Sequence, residues 1–160
     1  MTSHNDKAST PHIVVGLDES PQSVAALRWA ATQASRTGAL LRLVHAWQLN
    51  ASEMYAVGAL RESTTQDARE RMMRLVTDTL GSTVESGAWR LEVVEGPTGP
   101  TLVGLAEHAD MLVLGTGEHT GLRRLVAGSV SHYCLSHAQC PVVAVPTLAR
   151  AFSTVSMATP

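Results

Sequence analysis

The stretch "GTGEHTGLRRLVAGSVS" at residues 115–131 brings together residue types that cradle a phosphate. Gly115 has no Cβ, so a ligand can approach its backbone closely. Gly128 and Ser129 open a helical pattern, and the unpaired N–H groups and positive dipole end of a helix favour an anion. The Gly128, Ser129 and Val130 amides point the same way there, and the Ser129 hydroxyl can meet a phosphate. Asp18, at the end of the first apolar run, can accept hydrogen bonds from a ribose or an adenine amine. Each residue also has a plainer reading. Asp18 can serve a helix dipole, Ser129 can be an N-cap alone, and Gly115 can be a tight exit from a strand. Only their convergence points to a site.

Other constellations carry less. His119, His132 and His137 lie near Cys134 and Cys140, but His132 and His137 are five apart on a helical stretch and so occupy different faces. No metal site is expected. His45 closes a strand, where it either lines a pocket or is hydrogen-bonded in the core. No nucleophile–base–orienter set can be assembled, and neither the nucleophile-elbow pattern nor the lysine-containing phosphate loop occurs. No catalytic residue is assigned, and at most slow hydrolysis of a bound phosphate ligand is expected.

The elements that must position these residues follow from the apolar pattern. "HIVVGLD" (12–18), "LLRLVHAW" (40–47), "WRLEVVEG" (89–96), "DMLVLG" (110–115) and "PVVAVP" (141–146) read as strands, mostly the short β-branched runs of a sheet buried on both faces. Between them lie helical patterns. The first has Ser20 as N-cap, Pro21 at its first position, Val24, Leu27, Ala31 and Ala34 on one face, and Gly38 as its stop. The second covers 62–80 with a stripe of Met72, Leu75, Val76 and Leu80, while 48–61 is a loop or a loosely started helix. The third covers 98–109 and the fourth 128–138. Five strands alternating with four helices predict an open, parallel, doubly wound α/β sheet. In such sheets ligands sit at the carboxyl ends of the strands, where Asp18, His45, Ala46 and Gly115 fall. One domain over 11–146 is expected, with tails at 1–10 and 147–160.

Composition narrows the function classes. The 160 residues are 44% hydrophobic and 16% charged with a formal net charge of -2, which suits a globular domain and gives no basic track for nucleic acid or anionic membrane. Arg123–Arg124 is the only adjacent basic pair. The first ten residues do not read as a signal peptide, no apolar run approaches a membrane span, and two cysteines with five residues between them fit a reducing cytoplasm. The short apolar "PVVAVP", at a sheet edge, invites pairing with a second copy.

The chain resembles a universal stress protein. "IVVGLDESPQSVAALRWAATQA" is similar to the family's opening strand, aspartate and first helix, "LRLVHAW" to its second strand, and "EGPTGPTLVGLAEHADMLVLG" to the approach to its fourth. "GSVSHYCLSHAQCPVVAVP" matches the closing segment most specifically. The resemblance implies strand order 3-2-1-4-5, a homodimer formed through the last strand, and ATP, with magnesium, as ligand. It places the family's glycine pattern on Gly115 and Gly128–Ser129, its adenosine-side aspartate on Asp18, a backbone contact to adenine on Ala46 and another contact on Val130. The second motif glycine is replaced by Glu118, with Gly117 and Gly121 as neighbours. A carboxylate near a phosphate repels it by about 1 kcal/mol or more, unless Glu118 turns to solvent, pairs with Arg123 or Arg124, or holds a metal on the phosphates. The expected function is that of a dimeric, adenine-nucleotide-binding sensor or adaptor. The alternative is a nucleotide-free dimeric interaction protein disabled by Glu118, and a third reading uses Cys134 and Cys140 as a redox or metal sensor.

Overall fold

The computed structural model describes residues 10–48, 58–81, 87–116 and 129–147. Within them the chain runs β1 (His12–Gly16), α1 (Pro21–Thr37), β2 (Leu40–Trp47), α2 (Gly58–Leu80), β3 (Trp89–Glu95), α3 (Thr98–Leu105), β4 (Met111–Thr116), α4 (Ser129–His137) and β5 (Val142–Pro146). The five strands form one parallel sheet in the order β3-β2-β1-β4-β5. This is the expected doubly wound α/β architecture.

The alternation of each strand divides the core in two. Ile13, Val15, Leu41, Leu43, Leu91 and Val113 face α1 and α2, meeting Ala26, Leu27, Ala30, Met72 and Val76. Val14, Val44, Leu112 and Leu114 face Leu102, Ala106 and Cys134 of the α3 and α4 layer. Both faces are buried, which is why β1 and β4 read as unbroken apolar runs rather than alternating ones.

Three boundaries differ most from the sequence reading. β1 stops at Gly16, so Leu17 and Asp18 belong to the turn that follows. α2 starts at Gly58, inside the stretch left open between loop and helix. α3 stops at Leu105 rather than near 109: Ala106 leaves helical geometry at φ -96 ψ 3, and the chain turns so that the Asp110 N–H can donate to the His12 carbonyl at 3.0 Å. The buried face of α1 is also rotated from the one expected. Ser23, Ala26 and Ala30 join Leu27, Ala31 and Ala34 inside, while Val24 is only half-buried. Small side chains let the helix lie close on the sheet. The capping signals of α1 are all used: Ser20 accepts from the Ser23 N–H, Pro21 opens the helix, and Gly38 closes it at φ 71 with its N–H on the Ala34 carbonyl.

One ion pair ties α3 to the sheet. Arg42 of β2 donates from Nε and Nη2 to Glu92 of β3 at 2.7 and 2.8 Å, and from Nη1 to the Leu105 carbonyl at the end of α3 at 2.9 Å. Arg90 adds a 3.0 Å contact to Glu92. The Glu92 carboxyl is held below its ordinary value, first by the hydrogen bond from Arg42, with burial opposing and the Arg42 and Arg90 charges assisting. A depressed folded pKa gives stability that is complete above the ordinary value of 4.5 and is lost as pH falls through the folded one. Glu92→Gln is therefore expected to cost about 1 kcal/mol at neutral pH, the discount reflecting partial exposure. Urea unfolding at neutral pH and at roughly pH 3 checks this, because the gap between variant and wild type must close in acid.

Candidate functional site

The carboxyl end of β1 is fixed from β2. The Leu17 N–H donates to the Val44 carbonyl at 2.8 Å, and His45 donates from Nδ1 to the Leu17 carbonyl at 2.8 Å. His45 is thus a core anchor and not a free pocket base. The chain then enters a compact network around the start of α1. The Asp18 N–H donates to Ser23 Oγ at 3.0 Å, the Ser20 N–H and hydroxyl both donate to Asp18 Oδ1 (2.9 Å for the N–H), and the Ser23 N–H donates to Ser20 Oγ at 3.2 Å. The plainer reading of Asp18 therefore holds in part. It supports the cap and places negative charge at the positive end of α1, whose own first turn has no acidic residue. Its Oδ2 makes no hydrogen bond among the described residues, so one oxygen remains for a ligand.

Asp18 borders a two-part hollow at the strand ends. An inner chamber of about 180 Å³ has Gly16, Leu17, Leu102 and Leu114 as apolar walls, with Ala46 at the end of β2 and Thr98 at the start of α3. An outer part of about 330 Å³ opens between Gln22, Ser129 and Val130. Asp18, Ser20, Gly115, Val130 and Ser131 line both. Of the residues singled out from the sequence, Asp18, Ala46, Gly115, Ser129 and Val130 come together here. Gly128 lies outside the described residues, as do Glu118, Gly117, Gly121, Arg123, Arg124 and His119. Tests of the Glu118 repulsion lie there too. A separate hollow of about 220 Å³ sits at the other end of the strands, beside His12, Arg42 and Trp89; it is remote from the switch point where parallel sheets bind ligands.

Gly115 has a steric reason of its own. A Cβ there would fall 2.3 Å from both the carbonyl carbon and the oxygen of Gln22, so the end of β4 and the first turn of α1 touch backbone to backbone. The first turn of α4 supplies N–H groups that a helix cannot pair internally, and it begins at Ser129 on the rim of the outer part. Sequence reasoning missed Ser20, Gln22, Ser23, Thr98 and Ser131 as wall residues. The available signals were the one-turn spacing of Ser20 and Ser23, the two-residue spacing of Ser129 and Ser131, and the position of Thr98 just beyond a strand end.

The remaining chemistry-bearing groups serve packing. Among the described residues no group of three or more His, Cys, Asp or Glu could hold a metal. His137 bonds from Nδ1 to the Tyr133 carbonyl at 2.8 Å and stacks on the Tyr133 ring at 4.1 Å. Cys134 is fully buried, and burial pushes its thiol up to about 11; burial also raises Cys140. Thiols held protonated are poor nucleophiles, which disfavours the redox-sensor reading. No helix of the described residues is long and apolar enough to cross a membrane.

The family model described as the universal stress protein family matches residues 10–146. The chain belongs to the universal stress protein family. This universal stress protein is 35% identical over 143 residues to Universal stress protein Rv2623 of Mycobacterium tuberculosis (83% of this chain, 46% of the relative). It is 33% identical over 140 residues to a universal stress protein of Mycolicibacterium smegmatis (83% of this chain, 47% of the relative). The chain thus spans slightly less than half the length of these relatives. Solved universal stress proteins share its fold. UspA from Lactobacillus plantarum superposes with a TM-score of 0.67 at 22% identity, covering 84% of this chain and 97% of that one. A universal stress protein in complex with cAMP gives 0.63 at 23% identity, covering 84% and 96%. One from Archaeoglobus fulgidus in complex with dAMP gives 0.58 at 19% identity, covering 84% and 97%.

Proposed function

We propose that this universal stress protein binds an adenine nucleotide, ATP, in the hollow at the strand carboxyl ends and acts as a dimeric sensor or adaptor rather than a fast enzyme. The observation that carries the reading is that Asp18, Gly115 and Ser129, far apart in sequence, line one opening. Asp18 holds an unused carboxylate oxygen for a ribose or amine donor, Ala46 sits at the inner end for the base, and the first turn of α4 offers N–H donors to phosphate. The described walls suit the nucleoside part well, and magnesium would neutralise the phosphates. Asp18 is the only titratable side chain among the described residues of the wall, and the reading assigns no catalytic residue. Relatives in the family have been solved with cAMP and with dAMP, which supports an adenine ligand.

The sheet edge supports the dimer. β5 pairs with β4 on one side and is the last strand of the sheet. It is short, with Val142, Val143 and Val145 only half-buried, and such an edge favours a second copy of the same chain. A single sample tests both parts. With ATP and magnesium at about a hundred times the Kd, the folded state should gain about 2.7 kcal/mol, which is about 5–10 °C in Tm. Sedimentation of that sample at micromolar concentration should give a dimer. An unshifted Tm favours the nucleotide-free interaction protein instead, and sedimentation as monomer removes the β5 pairing.

A further inference from the structure

We propose that Gly99 and Tyr133 are positioning residues: where α3 crosses α4, their contact sets the span between the nucleoside and phosphate parts of the hollow. The inference rests on the nucleotide reading above. The two helices flank the hollow with the same faces that pack them together. α3 contributes Thr98 and Leu102 to the inner chamber, and α4 contributes Ser129, Val130 and Ser131 to the outer part. The buried residues of α3 are Gly99 and Leu102, and those of α4 are Ser131 and Cys134. Gly99 thus adjoins one wall residue, Thr98, and Tyr133 lies about one helical turn from another, Val130.

At that crossing the helices meet with no spare room. A Cβ on Gly99 would lie 2.8 Å from Tyr133 Cδ1, 3.0 Å from its Cγ and 3.2 Å from its Cβ, inside the roughly 3.5–4.0 Å of ordinary carbon contact. Gly99 does not have a positive φ, so its backbone admits any residue and the excluding atoms are those of the tyrosine. They lie at the root of that side chain, where it cannot swing aside as a chain tip would. The ring is also held by His137, stacked nearly parallel at 4.1 Å. A second contact closes the same crossing: Cys134 Sγ donates to the Gly99 carbonyl at 3.9 Å. Burial keeps that thiol protonated, as a donor must be. Two successive residues of α4 therefore grip one residue of α3. Gly104, in the same helix, would meet nothing within 4 Å, so the close approach is particular to Gly99.

The inner chamber, at about 180 Å³, falls below the roughly 300 Å³ at which whole-ligand pockets begin, so a nucleotide must reach from it past α4 into the outer part. Adenosine needs only the chamber side, whereas ATP must satisfy both helices at once. Parting α4 from α3 moves the phosphate donors relative to the chamber, and binding that uses both ends loses its alignment. The test is calorimetric titration of the full chain with ATP and with adenosine, in wild type, Gly99→Ala, Tyr133→Ala and, as control, Gly104→Ala. Gly99→Ala forces the helices apart. ATP should then weaken by about tenfold, the loss of one charge-assisted hydrogen bond, while adenosine stays within about twofold. Tyr133→Ala withdraws the spacer from the other side without overfilling the crossing and should show the same selective loss, so the inference stays testable if Gly99→Ala does not fold. A contact that serves stability alone would lower Tm and leave the ratio of ATP to adenosine affinity unaltered. If wild type binds ATP but not adenosine, or that ratio is unchanged in either folded variant, or Gly104→Ala alters it equally, this inference alone is overturned. If wild type binds neither ligand, the nucleotide reading falls and the inference falls with it.

Discussion

Gly115→Ala is expected to destabilise the protein by about 3 kcal/mol, the upper part of the range for overpacking a tight contact. The added methyl would sit 2.3 Å from the Gln22 carbonyl and 2.8 Å from its Cβ. Backbone atoms on both sides cannot swing away as a flexible side chain would, so either β4 or α1 must move. For a chain of this size the loss corresponds to a fall in Tm of about 6–12 °C. Gly104 supplies the control. It lies in α3, and a Cβ there meets nothing within 4 Å, so Gly104→Ala should stabilise by about 0.5–1 kcal/mol through helix propensity. Thermal unfolding of the two variants side by side decides the matter. A Gly115→Ala protein that melts with the wild type would show that β4 and α1 do not press together. Such a finding would return Gly115 to a role in ligand approach alone.

Asp18→Ala should reduce ATP affinity by about 10–100-fold, the loss of a charge-assisted hydrogen bond in a partly enclosed site. The same substitution removes the acceptor for the Ser20 N–H and hydroxyl, so a stability loss of about 1 kcal/mol accompanies it. The two effects separate through Ser20→Ala. That variant loses the cap to the Ser23 N–H at a similar cost in stability, yet it keeps the carboxylate and should weaken ATP binding less than Asp18→Ala does. Calorimetric titration of ATP into both proteins at a temperature where each is folded gives the comparison. Equal weakening in the two would mean that Asp18 acts only through the cap.

The fold was legible because its signals were local and consistent. Strands buried on both faces force apolar runs such as "IVV" and "MLVL", and the start of α1 is marked by Ser20, Pro21 and Gly38 together. Boundaries were less legible where a distant partner decides them. α3 ends at Leu105 because Asp110 must reach His12 across the sheet, and no residue near 105 announces that requirement. The site was legible at the residues whose chemistry stands out at strand ends, Asp18 and Gly115 above all. Thr98, Ser23 and Ser131 were not, because a serine or threonine looks alike in sequence whether it faces solvent or a buried chamber. The steric reason for Gly115 was hidden for the same cause: the atoms that exclude a side chain there belong to Gln22, more than ninety positions earlier in the chain.

The bond from His45 to the Leu17 carbonyl also decides how the imidazole stands. A carbonyl can only accept, so the ring nitrogen facing it carries hydrogen. The loop that presents Asp18 is therefore moored by a fastening that commits one edge of the imidazole to structure.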